Sequence, residues 1–279
     1  AKDVGFNYHL RDLLAKDHPQ VKAGEFLDTH FAGSLPLEIS LQGKIDSFRE
    51  IENLKRMQQL ELSLTEKGVA PDIISLAVVI RSLNKAFVGV DELPESNEAA
   101  AQLLLLAQSS SDDIVPQLVS DDFSHARIQA NISDIGSVQM AEIKAHVEQA
   151  SKTIFAGTGI KVRLTGEVPL IYQGMNRLSQ ELLQSVLFAL LVIVLTIWVV
   201  FKDWRLALGS VFPNALPIIL GVAFYSLTDR SLNPLPGIAF CIAIGVAVDD
   251  TVHLFARYKE QLKSGSEPLD AIVETVKYV

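Results

Sequence analysis

The chain has 279 residues, 49% of them hydrophobic, with a mean hydropathy of +0.27 and a formal net charge of −9. That acidity, without any long Lys/Arg run, argues against nucleic acid as the main partner. One cysteine, Cys241, rules out an intrachain disulfide, the six histidines show no metal-ligand spacing, and no phosphate-binding glycine loop is present.

Residues 1–34 read as an extracytoplasmic lead-in that is neither a signal peptide nor a span. "LPLEISLQG" (35–43) predicts a strand. Helix is predicted over 46–68, where Phe48, Ile51, Leu54 and Met57 recur at helical spacing and Gly68 ends the run. A short strand at 69–75, helix through Phe87, a loop over 88–98 and a helix over 99–108 follow, and "SSSDD" (109–113) breaks that helix. In "SHARIQANIS" (124–133), Ala126, Ile128, Ala130 and Ile132 alternate with polar residues, the pattern of a half-buried strand. A helix with Ile143, Val147, Ala150 and Ile154 on one face comes next, then a strand through Ile160, Val162 and Leu164. Two strand–helix–strand units over 35–170 predict a ferredoxin-like βαβ-βαβ sandwich, in an α+β multidomain membrane protein. Its carboxylate pairs, Asp112–Asp113 and Asp121–Asp122, read as solvated turn residues, and His125 as solvent-facing. Nothing in it has the pattern of an enzyme active site.

From Leu182 the chain changes solvent. Leu182–Phe201 and Leu206–Thr228 carry no charge, and neither does Ser231–Val248. A span needs about 20 mostly apolar residues. The membrane region is set at 171–257, with helices at about 180–201, 206–228 and 234–257, followed by an amphipathic segment, 258–279. Lys202, Arg205, Arg257, Lys259 and Lys263 flank two of the connections and place those in the cytoplasm. The N-terminal domain is then periplasmic or extracellular, and an upstream span is expected to precede it. "FPNALP" (212–217) places two prolines and an Asn inside the second span, an irregularity that suits a moving helix and also occurs in static bundles.

Asp249 and Asp250 interrupt the third span. If that helix ends at Val248 the acids mark the interface. A helix over 236–257 instead puts them within about one turn of its midpoint. Gly237, Cys241, Gly245, Asp249, His253 and Arg257 recur every four residues, a stripe whose small members let another helix approach. A carboxyl buried beside a second one can take up and release a proton near ordinary pH. An alternative is a pair held by a buried cation or hydroxyls only to fix helix register. His253 either extends a proton path or is a passive interfacial residue.

"GVAVDDTVHLFARYKE" (245–260) resembles the fourth transmembrane helix of the resistance–nodulation–division (RND) superfamily, in particular exporters of the MMPL and sterol-sensing-domain type. Gly245, Asp249, Asp250, His253, Arg257 and Tyr258 carry the match. "FKDWRLALGSVFPNALPIILGV" (201–222) and "VRLTGEVPLIYQGMNRLSQEL" (162–182) resemble the preceding segments. The resemblance implies a proton-driven exporter in a bacterial inner membrane, with Asp249 and Asp250 as the relay, Gly245 and Gly237 packing beside it, no cofactor other than the coupling proton, and a lipid-like or hydrophobic substrate. It also implies membrane lipid as surroundings, a second repeat outside this chain as the partner of the acids, and no catalytic residues. Homo-oligomerisation stays open. Two rivals keep the fold: a non-transporting sterol-sensing-type receptor, and a Sec-type protein-translocation accessory.

Overall fold

The computed structural model describes residues 7–109, 114–227 and 234–277. Asp112–Asp113 and the start of the third apolar run lie outside these residues. The chain is mostly helical and divides into two compact units, His9–Gln173 and a second built from Gly174 onward with Tyr8.

The first unit is built on a four-stranded sheet: β1 (Leu35–Gln42), β2 (Ile73–Ile74), β3 (His125–Ile132) and β4 (Lys161–Thr165), in the order β2-β3-β1-β4 with every neighbouring pair antiparallel. The alternation in β1 and β3 fixes the register. Ile39 pairs with Ile128 and Leu41 with Ala126, so the apolar members share one face. Leu37, Ile39, Leu41 and Ile128 are almost wholly buried. Helix α2 (Ile51–Glu66) contributes buried Leu54, Met57, Leu60 and Leu64, and α6 (Gly136–Ile154) contributes Met140, Ile143 and Val147. These two helices touch one another, while Ala150 and Ile154 at the far end of α6 are only half-buried. Helix α3 (Leu76–Val88), capped by Ser75, and α4 (Asn97–Ser109) form the connection between β2 and the short α5 (Val115–Leu118) that precedes β3.

From His9 onward the lead-in is folded and belongs to this unit. It contains a 3-10 turn (Leu10–Leu13) and helix α1 (Pro19–His30), held by a buried carboxylate. Asp134 accepts from the Arg11 amide at 2.9 Å and from the Tyr172 hydroxyl, while its own amide donates to Asp28. Gly33 is required where the chain turns into β1. Its φ is +132°, and a Cβ there would lie 2.1 Å from the Ile132 carbonyl carbon.

Helix α7 (Glu167–Phe201) starts well before the apolar run, because Val168 and Tyr172, four residues apart, are buried in the first unit. Helices α8 (Trp204–Gly209), α9 (Val211–Leu227), α10 (Pro234–Lys263) and α11 (Pro268–Val276) complete the chain. Three stretches, Glu167–Phe201, Trp204–Tyr225 and Gly237–Lys263, are helical, long and apolar enough to cross a membrane.

Candidate functional site

Helix α10 carries the predicted site. Pro234 and Pro236 stand in its first turn, where a missing N–H costs nothing. It ends in a left-handed glycine, Gly265 (φ +92°), whose amide meets the Leu262 carbonyl. At 30 residues it is about 45 Å long. Its midpoint falls between Val248 and Asp249, so the acids are central to the helix and not at its end.

The inward face of α10 is built from Ile244 and Thr251, both buried, with Val252 and Phe255 packed on Ile197, Phe201 and Ala207. Successive residues are about 100° apart. Asp249 and Asp250 therefore flank the opposite face, and both are exposed. Asp249 is 75% exposed, and His253, one turn on, is 73% exposed with Nε2 3.5 Å from the Asp249 carboxylate. The structure brings Asp249 and His253 together and covers neither.

The two glycines of the predicted stripe differ. A Cβ on Gly237 would come within 2.9 Å of Leu182 on α7, whereas Gly245 has nothing within 4 Å. A third glycine, Gly221 on α9, packs under Phe240 of α10, where a Cβ would lie 2.3 Å from the ring. Its signal in the sequence was only a lone small residue in an apolar run. The Lys259 ammonium donates to the Phe201 carbonyl at the end of α7, and Phe255 meets the Phe201 ring edge-on at 6.1 Å. A cation there suits the negative end of a helix dipole. Buried polar residues of this unit include Ser210, Asn214 of the "FPNALP" stretch, and Thr251, which donates to Ala247 at 2.7 Å. The Asn214 amide nitrogen donates to Ser210, and its Oδ1 accepts nothing.

In the first unit, Asp122 accepts from Ser120 and Ser124, and these hydrogen bonds hold its carboxyl down at about 2. His125 is exposed beside Ser124. Among the described residues, no group of three or more His, Cys, Asp or Glu is placed to hold a metal.

Residues 173–276 match the family model described as "Protein export membrane protein SecD/SecF, C-terminal". A membrane protein of Methanocaldococcus jannaschii, MJ1562, is 23% identical over 294 aligned residues, which span 99% of this chain and 71% of the relative. Multidrug resistance protein MdtC of Pectobacterium atrosepticum is 27% identical over 99 residues, 36% of this chain and 10% of that protein. None of these descriptions is of an enzyme. With its three membrane-length helices the chain is a membrane protein, and these matches support the SecD/SecF- and RND-type exporter superfamily as its setting.

Proposed function

We propose that this chain is part of a proton-driven RND-type exporter of lipid-like or hydrophobic substrates, with Asp249 and Asp250 as the proton relay. One observation carries this reading: two carboxylates stand at the middle of a membrane-length helix, on the face that the chain's own helices leave open. An acid facing lipid at a helix centre costs about 2.5–3.5 kcal/mol on insertion scales. A second protein element, such as the second repeat of the same architecture, therefore covers that face, and the open space at Gly245 admits its close approach. There a carboxyl takes a proton from one side, packs as the neutral acid, and releases the proton to the other. His253, within 3.5 Å of Asp249, lengthens the path.

The bacterial inner membrane and an outward-facing N-terminal unit fit the charges. Lys259 joins the end of α7, beside Lys202 and Arg205, so the basic residues gather at one end of the helices. The antiparallel order β2-β3-β1-β4, with α2 and α6 in contact, supports a ferredoxin-like porter domain of MMPL type. The test is export of a lipophilic dye from cells carrying the intact protein. Asp249→Asn with Asp250→Asn is expected to abolish export without lowering the amount in the membrane, and undiminished export contradicts the relay.

The SecD/SecF match over 173–276 favours a second reading, a protein-translocation accessory using the same relay. Photo-crosslinking from the first unit separates the two. Capture of secreted polypeptide in transit supports the accessory, and capture of lipid supports the exporter.

A further inference from the structure

The buried face of α2 contains an acid. Glu61 lies four residues after Met57 and three before Leu64, on the stripe that packs into the first unit, and it is only 5% exposed. The Ser75 hydroxyl, wholly buried, donates to its carboxylate, and the same oxygen accepts from the Val78 amide at 3.1 Å to cap α3. Helix α3 also supplies Arg81. That guanidinium points its Nε at Asp91, 3.5 Å away and itself paired with Lys85, and the buried Nε hydrogen-bonds to nothing. The carboxylate is thus buried with a hydroxyl for a partner and no closed ion pair. The other elements packed nearby offer little charge. Helix α6 brings His146, engaged with the Ser63 carbonyl at 3.2 Å. The 3-10 turn before α2 brings Arg49, which lies over Phe123. The inward residues of β3 are Ala126, Ile128, Ala130 and Ile132.

We infer that the first unit holds a proton-binding site of its own, in which Glu61 takes up and releases a proton between α2 and the capped start of α3. The site is separate from Asp249 and Asp250 and does not rest on their being a relay. Burial drives the carboxyl up to about 7, against the Ser75 hydrogen bond and the field of Arg81, both of which lower it. The neutral acid donates its O–H and leaves no buried charge. The ionised form makes the Ser75 hydroxyl donate, and leaves an uncompensated charge under α3. Because α3 begins directly after β2, the edge strand, the protonation state of Glu61 bears on how firmly Ile73–Ile74 holds to β3.

The test is carbon NMR of the full chain in lipid nanodiscs, with the glutamate side-chain carboxyls labelled, so that the aspartates are silent. One carboxyl is expected to titrate near neutral pH, and to be missing in Glu61→Gln. In Ser75→Ala, which removes a hydrogen bond to the ionised form, the same titration is expected at higher pH. The inference is overturned if every glutamate titrates in the usual carboxylate range, if the neutral titration survives in Glu61→Gln, or if it stays put in Ser75→Ala.

Discussion

At the scale of single residues, the acids of this protein are set by what surrounds them. Asp122 and Glu61 show the two directions. Hydrogen bonds from Ser120 and Ser124 favour the ionised form of Asp122, while burial disfavours that of Glu61. For Glu61 the folded-state pKa lies above the unfolded one, 4.5 against about 7. The folded state then binds the extra proton, so stability is fully present below 4.5 and is lost as pH rises towards 7. Glu61→Gln removes that loss. The variant is expected to gain on the parent between pH 4 and pH 8 by on the order of 3 kcal/mol, checked by thermal unfolding of the full chain at the two pH values. An equal difference at both pH values contradicts this. Position 61 was readable as a stripe position in the sequence, but its burial was not, because that depends on Ser75 and Arg81 arriving from another helix. The pair at 249–250 was legible as unusual from the apolar run around it. Which face it occupies needed the packing of Ile244 and Thr251.

At the scale of elements, alternation and helical period were strong enough to place β1, β3, α2 and the apolar helices. They failed where long-range contacts decide. The first turns of α7 precede the uncharged run of the sequence, and they are anchored by Val168 and Tyr172, both buried in the first unit. The lead-in is ordered through Asp134 and Asp28, partners more than a hundred residues apart. Strand β2 has two residues, too few for any period. Helix packing in the second unit gives two contrasting predictions. Gly221→Leu drives a side chain into the Phe240 ring and is expected to destabilise by about 1–3 kcal/mol, the usual range for overpacking. Gly245→Leu meets open space in this chain and is expected to change its stability by less than about 0.5 kcal/mol. Differential scanning of the two variants in detergent checks both. If Gly245 is where a covering element seats, Gly245→Leu is nevertheless expected to abolish export by the intact protein.

At the scale of the whole molecule, an α+β unit and a membrane-helical unit share one chain. The export family model matches residues 173–276 of the helical unit, while the Methanocaldococcus jannaschii relative aligns with 99% of the chain. The central claim is that protons cross through the centre of α10. It is tested most directly by proton flux into proteoliposomes containing the intact protein, read with an internal pH dye after an imposed pH step. Flux that falls to the level of empty liposomes in Asp249→Asn with Asp250→Asn, while Glu61→Gln keeps it, is the predicted result. Flux in the double variant equal to that of the parent would contradict the account.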